Sequence, residues 1–338
     1  MASKLAWLSG LKLAHLKNAA VATGINSSGT KSDLSSRLLA ELQDVPYVSS
    51  PKRGHAQAKE QRIISIDMGI RNLAYCVIVV NAQKDRSKAS VKVSKARQEL
   101  KSLPTVEGWT RIAVSSKAHP RTTDATNGPT AAKVKETFDP ATYAQHAYTL
   151  VSEMLQTYQP STVLIERQRY RSMGASAVQE WTLRVNMFEA MIHAVLETFN
   201  REGRWRGTVH AVAPSKVGPF WLGHEVKQDK NSASIKKGNK SAKIDLVGSW
   251  LENNKEVQLQ QQAKDMGQAF LRKWKRRKRV VVDQKGIPGA VDSQSVEADI
   301  GKLDDLADCL LQGIAWVKWQ ENKRDLMDKG LDALESLD

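Results

Sequence analysis

Apolar residues along the chain repeat with two different periods, and the places where the period changes mark the predicted elements. Leu11, Leu13 and Leu16 recur at helical spacing between Lys12 and Lys17, and the pattern stops at Thr23-Gly24, where glycine supplies a C-cap. Asn26 to Lys31 is a turn, and Ser32 is placed to cap a second helix with the stripe Leu34, Leu38, Leu39 and Leu42. The stretch 46–61, with Pro46, Pro51 and Gly54, predicts a linker. A β-branched run from Arg62 ends on Asp67, and a second apolar run spans Leu73 to Val80. Gly69 and Asn72 lie between them, which predicts a hairpin. Trp109 to Ser115 predicts a third strand, and 116–138 a loop. Pro140 to Tyr158 has helical periodicity, and Ser161 to Ile165 is a short buried strand ending on Glu166. Ala175 to Phe199 predicts a long helix, Thr208 to Ala213 a further strand, and Leu303 to Trp319 a last helix. The order β-β-β-α-β-α-β-α predicts a mixed α/β layer fold with five strands.

This divides the chain into a helical unit (1–45), a linker (46–61), a main domain (62–322) and a C-terminal tail (323–338). Within the main domain, 222–299 is a strongly basic insertion whose run Leu271 to Arg279 has seven basic residues in nine. Residues 281–299, with Gly286, Pro288 and Gly289, predict a loop.

Charge then narrows the function. The 338 residues carry 51 Lys and Arg against 36 Asp and Glu, a net charge of +15. Folding does not need such an excess, and its usual use is attraction to a polyanion, although it can also serve solubility alone. No apolar run approaches the roughly 20 residues that span a bilayer, so nucleic acid is a better partner than lipid. The two cysteines, Cys76 and Cys309, sit in apolar runs and form neither a disulfide framework nor a zinc site. No acidic residue precedes Asp33, while Lys4, Lys12, Lys17 and several Ser and Ala do, a composition like a transit peptide's.

Candidate chemistry rests on carboxylates. Asp67 and Glu166 each end a predicted strand, and Asp305 and Asp308 lie one turn apart on one face of the last helix. Singly, these acids have plain readings: a turn residue, a strand-end ion pair, a solvated helix start. Together, in apolar surroundings, they repel one another unless a cation neutralises them. Hard oxygen donors suit Mg²⁺ or Mn²⁺, and two such ions clamp the oxygens of a phosphodiester displacement. No His or Cys cluster favours a softer metal.

Three segments carry a resemblance: Ile66-Asp-Met-Gly-Ile-Arg-Asn-Leu-Ala74, Ile165-Glu-Arg-Gln-Arg-Tyr-Arg-Ser172 and Lys302-Leu-Asp-Asp-Leu-Ala-Asp-Cys-Leu310. They are similar to the fungal mitochondrial Holliday-junction resolvases, in the RuvC branch of the RNase H-like superfamily. The stretch Leu11 to Leu42 resembles the SAP motif, a small DNA-binding module; the other reading is a plain helical hairpin docked on the main domain. The resemblance implies an RNase H-like sheet. It implies that Asp67, Glu166, Asp305 and Asp308 hold two metal ions, with Asp304 as a substitute ligand. It further implies paired symmetric nicks in four-way DNA junctions that leave 5′-phosphate and 3′-hydroxyl ends, a homodimer, and the mitochondrial matrix, with the nucleus as alternative. The alternatives are a non-cleaving branched-DNA-binding protein and an RNA-directed nuclease on the same fold. The first motif also resembles the phosphate loop of actin-like ATPases, but no second such loop accompanies it.

Around the acids, Arg167, Arg169, Tyr170 and Arg171 are candidates for gripping phosphates and stacking on an unpaired base. Lys216, just after the last strand, is a candidate for neutralising the phosphate. Lys31 of the SAP-like turn and Lys273, Lys275, Arg276 and Arg277 of the basic run are candidates for phosphate contacts. The apolar helix 175–199 is a candidate dimer element, unless that face is core.

Overall fold

The computed structural model describes residues 2–43, 60–81, 103–114, 138–168, 179–223, 232–283 and 302–335. A 3₁₀ segment (Ala2–Gly10) leads into helices α1 (Leu13–Ala22) and α2 (Lys31–Gln43). Strands β1 (Glu60–Asp67), β2 (Leu73–Asn81) and β3 (Thr105–Ile112) follow, then helix α3 (Pro140–Tyr158), β4 (Thr162–Glu166), α4 (Glu180–Arg201) and β5 (Thr208–Val212). The chain continues with α5 (Pro214–Leu222), α6 (Ser232–Asn253), β6 (Gln258–Leu259), α7 (Gln261–Asp283), α8 (Leu303–Lys329) and α9 (Leu331–Glu335).

The sheet order is β5-β4-β1-β2-β3-β6. β1 pairs with β2 antiparallel and with β4 parallel, and β4 pairs with β5 parallel. Because side chains alternate along a strand, each strand feeds two cores. Ile63, Leu164, Cys76 and Ile78 face a layer built by α6, α7 and α8, while Ile64, Val163, Ile165 and Val77 face α3 and α4. The result is helices on both faces of a mixed sheet.

The β1–β2 turn needs Gly69: a Cβ there would lie 2.7 Å from the Asn72 carbonyl oxygen. Helix α3 starts where Asp139 accepts a 2.9 Å bond from the Thr142 amide, with Pro140 in its first turn. Helix α1 ends in a Schellman arrangement, with Ile25 N–H donating to Ala20 at 2.8 Å and Gly24 N–H to Val21 at 3.2 Å.

Six features depart from the sequence expectation. The sheet has six strands, because the two-residue β6 adds to the edge of β3; so short a strand within a polar stretch has no readable period. β3 begins at Thr105 instead of Trp109, since Glu107 and Gly108 break the apolar run and hide its first half, and Val114 has left the ladder to donate to Ile70 at 2.8 Å. β1 takes in Glu60 and Gln61, expected as the end of the linker; 44–59 lie outside the described residues. The cap of α2 is Thr30, not Ser32: its hydroxyl accepts from the Asp33 amide at 3.3 Å while Asp33 Oδ2 accepts from Thr30 N–H at 2.9 Å. The expected basic insertion contributes α6 and α7, whose Val247, Trp250, Phe270 and Trp274 are buried in the main core. Finally, the expected tail is ordered helix: α8 runs on to Lys329, and Leu326, Ala333 and Leu334 share a core with Leu16, Leu34 and Leu38 of the N-terminal helices.

The N-terminal helices are therefore welded to the main body. Gly24, at φ 68°, lies under the Trp319 indole, where a Cβ would be 2.3 Å from the ring. Asn322 donates to the Ala22 carbonyl at 2.7 Å, and Lys323 pairs with Glu41 at 3.1 Å. Among the described residues, no helix is long and apolar enough to cross a membrane.

Candidate active site

Asp67 and Glu166 come together because β1 and β4 are parallel neighbours, with Ile66 opposite Ile165, so both strands end at the same edge. Helix α8 is fixed across that edge by buried hydrogen bonds. Ser65 Oγ donates to the Cys309 carbonyl at 2.8 Å, Gln312 Nε2 to Ser65 Oγ at 3.1 Å and to the Ile66 carbonyl at 3.2 Å, and Trp109 Nε1 to the Leu306 carbonyl at 3.1 Å. Gly313 permits the approach, since a Cβ there would meet Ile78 at 2.3 Å. These contacts bring the first turns of α8, with Asp304, Asp305 and Asp308, to the ends of β1 and β4.

The electrostatics mark the four predicted acids as one group. Burial pushes the Asp67 carboxyl well above its ordinary value, and so do the charge and hydrogen bond of Glu166 and the charges of Asp308 and Asp305. Asp305 is pushed up to about 6, by burial and then by Asp304, against the pull of Arg111. Asp308 is raised by burial, partly offset by Lys243, with Glu166 and Asp304 adding to the rise. Asp304 behaves differently. Burial raises it, but the hydrogen bond and charge of Lys240 outweigh burial and leave it lowered.

Each of the three aspartates in the first turns of α8 has its own cation. Lys240 Nζ donates to Asp304 at 2.7 Å and Lys243 Nζ to Asp308 at 2.9 Å, both from α6. Arg111 of β3 lies 3.6 Å from Asp305 Oδ2, and its guanidinium also hydrogen-bonds Asn72 Oδ1. Asp305 Oδ2 is nevertheless buried without a hydrogen bond, as is Arg111 Nε. Among the described residues, Asp67 and Glu166 have no salt-bridge partner, and no three Asp, Glu, His or Cys side chains are gathered tightly enough to close a metal site as they stand. The donor set still fits a hard divalent cation: one buried and several half-buried, mutually repelling carboxylates and an orphaned carboxylate oxygen are what such an ion would satisfy.

The other predicted residues are scattered. Arg167 is exposed beside Glu166, and Lys216 is half-buried in the first turn of α5. Lys31 is exposed at the start of α2. Arg169, Tyr170 and Arg171 lie outside the described residues. Lys273, Lys275 and Arg276 are exposed on α7, and Lys275 pairs with Glu252 at 2.9 Å. Arg277 is partly committed to the fold: its guanidinium reaches Ser241 at 2.5 Å and Asp245 at 3.4 Å, tying α7 to α6 one turn from Lys243.

Sequence reasoning missed Arg111, Lys240, Lys243 and Gln168. Gln168 Nε2 donates to Glu166 Oε2 at 3.0 Å and its backbone N–H to Glu189 Oε2 at 3.0 Å. The lysines had one usable signal, their i, i+3 spacing, which puts both on one face of α6, where they meet Asp304 and Asp308 one turn apart on α8.

With this geometry in view, the chain belongs to the family described as mitochondrial resolvase Ydc2 / RNA splicing MRS1, whose catalytic model matches residues 63–326. It is 25% identical over 314 residues to the mitochondrial cruciform cutting endonuclease 1 of Schizosaccharomyces pombe, covering 92% of this chain and 93% of that protein. It is 23% identical over 206 residues to the Saccharomyces cerevisiae protein of the same name, covering 57% of this chain and 58% of that one. The crystal structure of the yeast mitochondrial Holliday junction resolvase Ydc2 superposes with a TM-score of 0.54 at 21% identity, covering 95% of this chain and 98% of that one, so the fold is RNase H-like.

Proposed function

We propose that the protein is a structure-selective endonuclease that resolves four-way DNA junctions by paired symmetric nicks. The observation that carries this reading is the meeting of two strand-end acids, buried Asp67 and half-buried Glu166, with the Asp-x-x-Asp turn of α8, in a chain akin to cruciform-cutting proteins. Asp67, Glu166, Asp305 and Asp308 are the residues that hold Mg²⁺ or Mn²⁺, two ions per site. Asp305 is favoured over Asp304 because it is the one whose charge Asp67 feels. When bound, the ions supply an activated water and neutralise charge on the phosphate, giving 5′-phosphate and 3′-hydroxyl ends.

The chain's own groups prepare that chemistry. Asn72 and Arg111 orient Asp305, and Gln168 holds Glu166. Lys243 pairs with Asp308 and offsets part of the effect of its burial until an ion takes its place. The exposed basic residues of α7, with Lys31 and Arg167, attract the DNA backbone, and the N-terminal helices act as a SAP-like DNA-binding unit. Two symmetric nicks call for two sites, hence a homodimer. Most of the apolar face of α4 is core, but Leu183 and Trp181 near its start are exposed and offer a contact. The names of the relatives support a mitochondrial location.

A second reading, RNA binding, is kept because the family description includes RNA splicing. One experiment separates the readings: a mobile four-way junction is incubated with the protein and Mg²⁺, and the nicks are mapped beside an RNA–DNA hybrid control. Paired nicks in opposing strands of the junction are expected. Binding without nicks, or preferential cutting of the hybrid, would overturn the assignment.

A further inference from the structure

A groove of about 980 Å³ lies beside the carboxylates, between the N-terminal helices and α4. Gly24 to Ser27 form one wall, Arg167 and Gln168 its end nearest Glu166, and Asn186, Glu189, His193 and Lys216 the rest of its polar lining. Its N-terminal wall is anchored at Gly24, which lies against Trp319, and at buried Ile25.

Two of its groups lack what their burial calls for. Lys216 is half-buried; burial lowers its pKa against the pull of Glu41, and its ammonium makes no hydrogen bond or ion pair with any described residue. A partly desolvated cation is costly when its neighbouring carboxylate, Glu41, is paired with Lys323 and not with it, and an anion entering the groove reduces that cost. His193 is half-buried and also without a hydrogen-bond partner among the described residues; burial lowers its pKa, so near neutral pH its ring is both donor and acceptor.

His193 does not stand alone. Asn186, Glu189 and His193 are spaced i, i+3 and i+7, forming a polar row on α4 beside the buried row Val185, Phe188, Ile192 and Leu196. Asn186 commits its Nδ2 to the Thr182 carbonyl at 2.7 Å, and its Oδ1 has no partner among the described residues. Glu189 is linked to the strand acid through Gln168, which touches both. An anion-seeking lysine and a row of donors and acceptors match the two ends of a nucleotide, its phosphate and its base edge. The volume is at the upper end of pockets that enclose a small organic molecule, about 300–1,000 Å³. That admits one nucleotide with its phosphate but not a duplex.

We propose that this groove binds one unpaired deoxynucleotide of the branched DNA next to the scissile phosphate. Lys216 and Arg167 take the phosphate, and Asn186, Glu189 and His193 hydrogen-bond the base edge, so the groove selects the base at which the strand is cut. This rests on the junction-cutting reading above.

The test has two arms, both on the full chain. Fluorescence anisotropy measures binding of labelled tetranucleotides of each single base to metal-free protein, and nick mapping on junctions with varied branch-point bases measures cleavage preference. Wild type is expected to rank the four bases in both arms. Lys216→Gln weakens all four tetranucleotides by a similar factor, about tenfold. Asn186→Ala with His193→Ala collapses the spread between best and worst base from about tenfold or more to near unity. Should that pair melt early, Asn186→Ser with His193→Gln replaces it. Unchanged affinity in Lys216→Gln together with unchanged base ranking in the α4 variants overturns the proposal, even if junctions are cut. Ranked tetranucleotide binding by a protein that cuts no junction would instead sink the nuclease reading and leave the groove standing.

Discussion

The two halves of the carboxylate centre are built on opposite electrostatic plans. The strand half, Asp67 and Glu166, carries two acids side by side with no ion-pair partner among the described residues. The helix half carries three aspartates, and each has a cation: Lys240, Arg111 and Lys243. Each aspartate of the helix half has a cation within 3.6 Å before any ion arrives, although burial still raises Asp305 and Asp308. The strand half has no such cation among the described residues, and Asp67 is raised well above its ordinary value. On the proposed reading a divalent ion would complete the strand half, whereas at the helix half it would have to displace Lys243 from Asp308. Affinity should come mainly from the strands, and selectivity against adventitious ions from the helix side.

The largest effect is expected at Asp67. Asp67→Asn keeps the shape and removes the charge, so cleavage of a junction should fall by on the order of 10²–10³-fold or more. The same change relieves repulsion in the metal-free protein, so its Tm by calorimetry should stay level or rise.

The pH dependence of stability separates the halves next. A carboxyl whose folded pKa is raised contributes stability that is full below its unfolded pKa and is lost as pH rises through the folded value. For Asp305 that window runs from its ordinary 3.8 to about 6. Metal-free protein should lose up to about 3 kcal/mol across it, and added Mg²⁺ at pH 7.5 should restore stability. Asp305→Asn should flatten this part of the profile in denaturant melts at stepped pH; an unaltered profile would contradict the assigned burial.

Lys243→Met tests the displacement idea. Asp308 loses its partner, so the metal-free protein should be destabilised by about 1–3 kcal/mol, while Mn²⁺ should bind more tightly. Weaker Mn²⁺ binding would mean that Lys243 supports the ion instead of competing with it.

The smallest effect is expected away from the centre. Lys275 forms an exposed pair with Glu252, so Lys275→Ala should change stability by less than about 1 kcal/mol. If it faces the DNA backbone, the salt dependence of junction binding should drop by about one unit of slope.

What the sequence revealed divides along the same line. The strand acids were legible because each ends a β-branched run, and register then brings them together. The Asp-x-x-Asp turn was legible from its spacing, and the choice of Asp305 over Asp304 is favoured by the response of Asp67 alone. The cations were not legible. Lys240 and Lys243 stand in a segment so rich in polar residues that its buried Ile244, Val247 and Trp250 are masked, and pairing with α8 is a contact across some sixty positions. Arg277 looked like one more phosphate contact, yet its neighbours Ser241 and Asp245 hold it in the fold. The joining of the N- and C-terminal helices was equally hidden, since Leu34 and Leu334 meet only in the folded chain.

The most direct test of the account is a titration of metal-free protein with Mn²⁺, followed by electron paramagnetic resonance, for wild type, Asp67→Asn and Glu166→Gln. Saturable binding by wild type and a loss of about tenfold or more in each variant are expected. Equal Mn²⁺ affinity in all three proteins would contradict it.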